Sequence, residues 1–315
     1  MSAGPGVPSR GGAIALATFV TFLWSTSWIL IKVGLQSEEL EPLSFAGLRY
    51  ALAALILLPL GWPALRRARP WAGRRLMLRA AVLGLLLYAA AQGAQFAALD
   101  VLPAATVSLV LSSTPVAVAL LSRRHGTEGA TRLQALGIGV LLAGVLLYFG
   151  RAAVPMGAVL GVGIAVVGML ATAVGAQMGR ALARDAMDRF GGAVALTGVT
   201  MAIGATVLLA SGVALEGIPR LSVTGWLICG WLAIVNTAFA FTIWNHTMRR
   251  LTAIESSVLN TAMLVQIAIL AWVFLGETLD VRQILGLGLA LCGVLLVQLA
   301  PTLFGRRDGA PARAV

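Results

Sequence analysis

Residues 104–121, Ala-Ala-Thr-Val-Ser-Leu-Val-Leu-Ser-Ser-Thr-Pro-Val-Ala-Val-Ala-Leu-Leu, hold no charged side chain. An uncharged stretch of that length crosses a bilayer when it is helical. Nine more apolar runs of this kind fill the chain, so the sequence predicts helices at about 13–35, 44–62, 78–98, 103–122, 133–149, 157–178, 191–212, 222–246, 253–275 and 282–303. Hydrophobic residues make up 59% of the 315 positions and charged residues 11%. A soluble domain could not hide that much apolar surface, which leaves the class of polytopic all-α membrane proteins. The first run ends without an Ala-x-Ala motif and reads as a retained helix rather than a signal peptide. Cys229 and Cys292 lie inside apolar runs and read as buried thiols.

The net charge of +11 would suit a nucleic-acid partner, but the placement of the charges speaks against one. Arg10, the six arginines from Arg66 to Arg79, Arg123, Arg124, Arg132, Arg180, Arg184, Arg189, Arg249, Arg250, Arg306, Arg307 and Arg313 all fall on alternate connections. The intervening connections carry only Arg151, Arg220 and Arg282, together with Glu38, Glu39, Glu41, Asp100, Glu216, Glu277 and Asp280. Such alternation is what topology selection produces, and it places both termini in the cytoplasm. It also supports the ten-helix division, because a missed crossing would scramble every later connection.

The chain reads as duplicated. Leu-Gly-Ile-Gly-Val-Leu-Leu-Ala-Gly-Val-Leu-Leu at 136–147 is echoed by Leu-Gly-Leu-Gly-Leu-Ala-Leu-Cys-Gly-Val-Leu-Leu at 285–296. The run at 104–121 has a weaker echo at 253–275, and an acid follows each, Glu128 and Glu277. Five helices per copy is an odd number, so the second copy inserts upside down. The expected organisation is a tail at 1–12, a first repeat at 13–149, a linker at 150–156, a second repeat at 157–303 and a tail at 304–315. Inverted repeats are a recurring plan of secondary transporters, with the solute bound near the midplane between the halves.

Several segments carry a resemblance to a known family. Leu23-Trp24-Ser25-Thr26-Ser27-Trp28-Ile29-Leu30-Ile31-Lys32, Pro42-Leu43-Ser44-Phe45-Ala46-Gly47-Leu48-Arg49-Tyr50, Ser112-Ser113-Thr114-Pro115 and Phe274-Leu275-Gly276-Glu277 occur in the order and spacing of one pattern. The chain resembles the ten-helix EamA-type exporters of the drug/metabolite transporter superfamily over about residues 13–300. It departs from the pattern at Gln266, where the family often has Pro, and in the blurred Leu-Gly-Glu of helix 4 at 122–128. The resemblance implies export of small metabolites, often amino acids or their relatives, across the bacterial inner membrane.

Trp24, Trp28 and Lys32 share one helix face, as aromatic surface and an ammonium for a solute carboxylate, or as packing with a lysine that snorkels to the interface. Arg49 reads as an anchor between helices, through a carbonyl, water or one of Glu38, Glu39 and Glu41, with direct binding as the other reading. Tyr88, Gln92 and Gln95 form a polar stripe that is either solute path or helix glue. Thr237, Phe241 and Trp244 share a face of helix 8, with Asn236 near the bilayer centre and His246 near the interface. Ser108, Ser112 and Pro115 mark a break or a satisfied kink in helix 4, while Asn260 and Gln266 are the polar residues of helix 9. Gly168, Thr172, Gly175 and Gly179 read as a packing face of helix 6. Glu255 and His246 are the few titratable groups near the membrane that proton coupling could use.

The expected substrate-binding set is therefore Trp24, Trp28, Lys32, Tyr88, Gln92, Asn236, Trp244 and Asn260, with Arg49, Pro115 and Gln266 as structural or hinge residues. No catalytic residue, metal or cofactor is expected. The expected partners are a small-molecule solute and the bilayer, with a homodimer admitted. A secondary carrier exporting small metabolites by alternating access is the leading reading. A membrane enzyme acting on a lipid is the alternative, weakened because His125 and His246 lie near loops and no Asp-Asp-x-x-Asp motif occurs. The chain also lacks a Gly-x-x-x-x-Gly-Lys-Ser loop, which rules out a self-contained ATP pump.

Overall fold

The computed structural model describes residues 10–38, 40–67, 73–124, 132–149, 156–186, 188–247, 251 and 253–304. Ten membrane-scale helical segments run through them, and no strand occurs among the described residues. They are α1 (Arg10–Ser37), α2 (Pro42–Arg67), α3 (Arg74–Val101), α4 (104–124) and α5 (Arg132–Phe149). The second half supplies α6 (Met156–Ala186), α7 (Ala193–Glu216), α8 (223–247), α9 (Ala253–Leu275) and α10 (Val281–Phe304). Nine are long and apolar enough to cross a membrane; α4 is the short one, apolar over Ala104–Val118. The helices overrun the apolar runs by a turn or more, chiefly where arginine-bearing turns continue them. Long basic side chains let a helix extend in this way, because they reach back to the headgroup level.

Packing between the halves obeys a two-fold exchange. An axis in the membrane plane that swaps α1 with α6, α3 with α8 and α4 with α9 must turn each contact into another. The pair α3–α6 becomes α8–α1, the pair α4–α6 becomes α9–α1, and the pair α3–α7 becomes α8–α2; all six contacts exist. On the axis itself α2 runs along α7, α5 along α10, and α4 meets α9. The duplication seen in the sequence is thus an inverted repeat in space.

Glycine sets the closest of these contacts. A Cβ added at Gly144 would lie 2.4 Å from the Ala290 backbone nitrogen, and one at Gly293 would lie 2.4 Å from that of Leu141. Gly137 and Gly286 meet the opposite backbone at 2.9 and 2.7 Å in the same sense. These four are the first and third glycines of the two echoing segments, so the repeated motif forms the α5–α10 seam, while the middle glycines, Gly139 and Gly288, face open space. Without a hydrophobic drive between helices in lipid, such backbone-to-backbone approach is what makes a contact favourable. Gly47, Gly61 and Gly212 serve the α2–α7 seam similarly, and Gly168 and Gly175 lie against α3.

Three helices are not regular. α3 passes through a π-helical segment at Leu85–Ala90, and its two-fold mate α8 does so at Ile234–Phe239. In α8 the Thr237 hydroxyl donates to the Leu232 carbonyl at 2.8 Å. Next to the α3 segment, Gly84 approaches α7 so closely that a Cβ would sit 2.2 Å from the Thr200 carbonyl oxygen. α4 breaks at Ser113, between helical pieces Ala104–Ser112 and Thr114–Arg124. Pro115 cannot donate to the Leu111 carbonyl, and the Thr114 hydroxyl takes that place at 2.6 Å. α9, with Gln266 instead of a proline, is continuous from Ala253 to Leu275. The two central helices are therefore asymmetric.

Candidate functional site

Seven of the eight expected substrate-binding residues lie on α1, α3 and α8, the helices that carry or face the two π-segments, but their environments differ. Trp24 is half-buried and stacks on α8, with ring centroids 5.3 Å from Phe241 and 5.0 Å from Trp244. Trp28, one turn on, is buried in the central apolar cluster. Lys32, another turn on and only 5% exposed, donates from Nζ to the Leu99 and Leu102 carbonyl oxygens at 2.5 and 2.8 Å. It does not snorkel: it caps the C-terminus of α3, where a cation is favoured by the helix dipole.

Tyr88 lies inside the α3 π-segment and is buried, with its ring 5.6 Å from that of Tyr50 on α2. The Tyr50 hydroxyl donates to Gln92 Oε1 at 2.6 Å. Asn236 lies inside the α8 π-segment and is 0% exposed. Its Nδ2 donates to the Leu23 carbonyl and, at 3.1 Å, to Thr26 Oγ1, so it ties α8 to α1; its Oδ1 has no hydrogen-bond partner. Both π-segments therefore present a polar residue to the interior. π-Turns inside helices often mark functional positions, since they loosen the backbone ladder where a helix must adapt.

Arg49 is 4% exposed, and its partner is not one of the acids considered for it. No described acid pairs with it. The Glu38 carboxylate instead accepts from Ser222 Oγ, which in turn caps α8 by accepting the Gly225 N–H at 2.9 Å; Glu39 lies outside the described residues. Arg49 Nε donates to Thr237 Oγ1 at 3.1 Å, and its guanidinium carbon lies 5.1 Å from the Tyr50 ring and 5.9 Å from the Phe96 ring. Arg49 thereby joins α2 to the α8 π-segment. The sequence offered no sign of this partner, because a π-turn leaves no residue signature.

Gln266, standing where a proline was expected, accepts from Ser25 Oγ at 2.8 Å and links α9 to α1. Asn260 is exposed on α9. The readings of Asn245, His246 and Glu255 fall on side chains outside the described residues. Among the described residues, no group of three His, Cys, Asp or Glu side chains comes together as a metal cluster.

The end of the bundle away from the termini is bound together by carboxylates whose partners the sequence did not name. Glu216, at the end of α7, accepts the N–H groups of Leu43 and Ser44 at 2.9 and 2.7 Å. Glu277, just past α9, accepts those of Ala104 and Ala105 at 2.7 and 3.3 Å. Each acid from the second half thus caps a helix N-terminus of the first, the end that attracts negative charge. The Leu275-Gly276-Glu277 motif now has a physical reading. Gly276 takes φ +65°, a left-handed turn that suits glycine, and it ends α9 so that Glu277 reaches back to α4.

An all-helical bundle of two inverted five-helix halves, with irregular helices and buried polar groups at their interface, has the build of a membrane transporter. The EamA-like transporter family model matches residues 11–150 and again 159–299. The chain belongs to that family, and so to the drug/metabolite transporter superfamily. It is 22% identical over 281 residues to the uncharacterized transporter YoaV of Bacillus subtilis (strain 168), covering 88% of this chain and 93% of that protein. It is 28% identical over 231 residues to the uncharacterized transporter YvbV of the same organism, covering 72% and 71%. A solved crystal structure aligns with 94% of this chain and 99% of its own at a TM-score of 0.63 and 19% identity, a likeness of fold.

Proposed function

We propose that this transporter is a secondary carrier that exports small amphipathic metabolites across the cell's inner membrane by alternating access. The observation that carries the reading is the placement of the two π-segments. They sit on two-fold-related helices, α3 and α8, and both hold interior polar residues, Tyr88 and Asn236. A carrier needs matched helices that flex around a fixed site, and inverted repeats supply them. Trp24, Trp244, Tyr88 and Gln92 offer aromatic surface and amide groups along that path, suited to a solute with an apolar body and a polar head. Trp28, Lys32 and Asn236 support the path by packing and capping, and Asn260 has no place in it. The termini face the cytoplasm in this proposal, following the arginine distribution.

Counterflow in proteoliposomes tests the carrier reading. Vesicles preloaded with a mixed pool of unlabelled amino acids and organic acids are diluted into traces of the labelled compounds. A carrier produces a transient, saturable accumulation of its own substrate, and Trp24→Ala reduces it. Folded protein that accumulates nothing from the pool, nor from a second pool of neutral and cationic solutes, contradicts the reading.

A further inference from the structure

We infer that Arg49 is a docking point for a monovalent oxyanion, a carboxylate, on the transported solute. The inference rests on the carrier reading and adds a substrate class to it. The described core buries two basic side chains, Lys32 and Arg49. Lys32 is mostly engaged, since two of its three N–H donors go to carbonyl oxygens at the end of α3. Arg49 is not. Of its five N–H donors, only the one on Nε has a described partner, the Thr237 hydroxyl at 3.1 Å.

The surroundings leave the outer edge of the guanidinium available. Rings of Tyr50 and Phe96 lie 5.1 and 5.9 Å from its central carbon and hold it by cation–π attraction, which satisfies no N–H. The buried side-chain polar atoms that lack a partner and are sealed from solvent are Ser44 Oγ and Asn236 Oδ1. The Nη atoms of Arg49 have no described hydrogen-bond partner, although the residue is only 4% exposed. The polar side chain bonded to the hydroxyl of the flanking Tyr50 adds a donor and no acid. Gln92 uses Oε1 to accept from Tyr50, which leaves its Nε2 free of any described acceptor. A cation whose N–H groups go unanswered inside a membrane protein is costly, and an anion that enters removes that cost.

The chemistry of the fork chooses among anions. A guanidinium edge presents two parallel N–H groups that match the two oxygens of a carboxylate. One available cation balances one negative charge, which disfavours a doubly charged phosphate monoester. The aromatic flank suits a carboxylate carried on an apolar body.

Matched acid and amide pairs test this, because each pair differs in charge and little else: acetate with acetamide, phenylacetate with phenylacetamide, indole-3-acetate with indole-3-acetamide, and phenyl phosphate as the divalent comparison. Stabilisation of the detergent-purified protein against heat reports binding, and competition in counterflow reports transport. The expected result is that at least one acid binds 10-fold or more tightly than its amide and than phenyl phosphate. Arg49→Gln removes the preference, and Arg49→Lys, which keeps the charge without the fork, weakens acid binding 10-fold or more. Equal binding of acids and amides by the wild-type protein, no binding of any acid, or an acid preference that survives Arg49→Gln would overturn the inference. The wild-type comparison decides alone if the variants fail to fold. Acid-selective binding without counterflow would sink the carrier reading and keep the site, whereas counterflow of neutral solutes without acid preference would do the opposite.

Discussion

Lys32 and Glu277 grip a single turn from its two sides. Lys32 holds the carbonyl oxygens of Leu99 and Leu102 as α3 ends, and Glu277 holds the N–H groups of Ala104 and Ala105 as α4 begins. One residue comes from the first half of the chain and the other from the second. Each charge also faces the helix end that attracts it, so the dipoles of α3 and α4 strengthen both contacts. Carbonyls and amides that would otherwise be stranded at the membrane surface are thereby satisfied.

Weakening this grip should loosen the end of the bundle away from the termini. Glu277→Gln keeps the shape but removes the charge, and a charge-assisted hydrogen bond contributes about 1.5–3 kcal/mol. In a protein lacking Cys229 and Cys292, a cysteine replacing buried Leu102 should react about 10-fold faster with an impermeant maleimide when Glu277→Gln is present. Unchanged reactivity would show that the carboxylate does not hold the turn.

The α5–α10 seam should tolerate no side chain at its glycines. Gly144→Val places methyl groups where the Ala290 backbone now lies 2.4 Å from a bare Cβ position. Overpacking of this kind costs about 1–3 kcal/mol. Gly139, with nothing within 4 Å of its added Cβ, is the control. Thermal melts in detergent should show a clear loss for Gly144→Val and almost none for Gly139→Val; similar melts for both would remove the seam's importance.

Ser25 and Gln266 should be coupled. Their 2.8 Å hydrogen bond joins α1 to α9. Interhelical bonds in membranes average about 0.6 kcal/mol in double-mutant cycles. Ser25→Ala and Gln266→Leu, measured singly and together by reversible unfolding in detergent, should give a coupling of that order. Strict additivity would mean that the bond contributes nothing.

The helix count, the duplication and the inversion were legible because they rest on composition, charge placement and glycine spacing, all written locally along the chain; that the two echoing segments pack on each other was not. What sequence could not give depends on partners far away. Trp24, Trp28 and Lys32 do share a face of α1, but that face passes α8, the central core and the end of α3 in turn, so one stripe serves three purposes. Arg49 reads from sequence as an anchor to a carbonyl, a water or an acid near the start of α2, and it meets Thr237 in a π-segment 188 positions on. Gln266 showed as a missing proline and a polar residue of helix 9 without a named partner, which the structure supplies in Ser25. Glu216 and Glu277 read as loop acids because a helix N-terminus draws a carboxylate by geometry, not by sequence proximity.

Topology can be checked without any solute. Fusions at the C-terminus should yield a fluorescent cytoplasmic reporter and an inactive periplasmic phosphatase, as the 18 basic residues on alternate connections require. An active phosphatase at that position would invert the whole orientation.

The most direct test of alternating access is to lock the two halves together at the carboxylate-bound end. A Cβ at Gly161 on α6 would sit 2.8 Å from Leu102 Cγ at the end of α3, close enough for a disulfide between Leu102→Cys and Gly161→Cys. In a protein without Cys229 and Cys292, counterflow of the identified substrate is measured before oxidation, after it, and after reduction. If the halves must separate there to release solute, oxidation abolishes counterflow and reduction restores it. Full counterflow in the oxidised, cross-linked protein would contradict alternating access through that end.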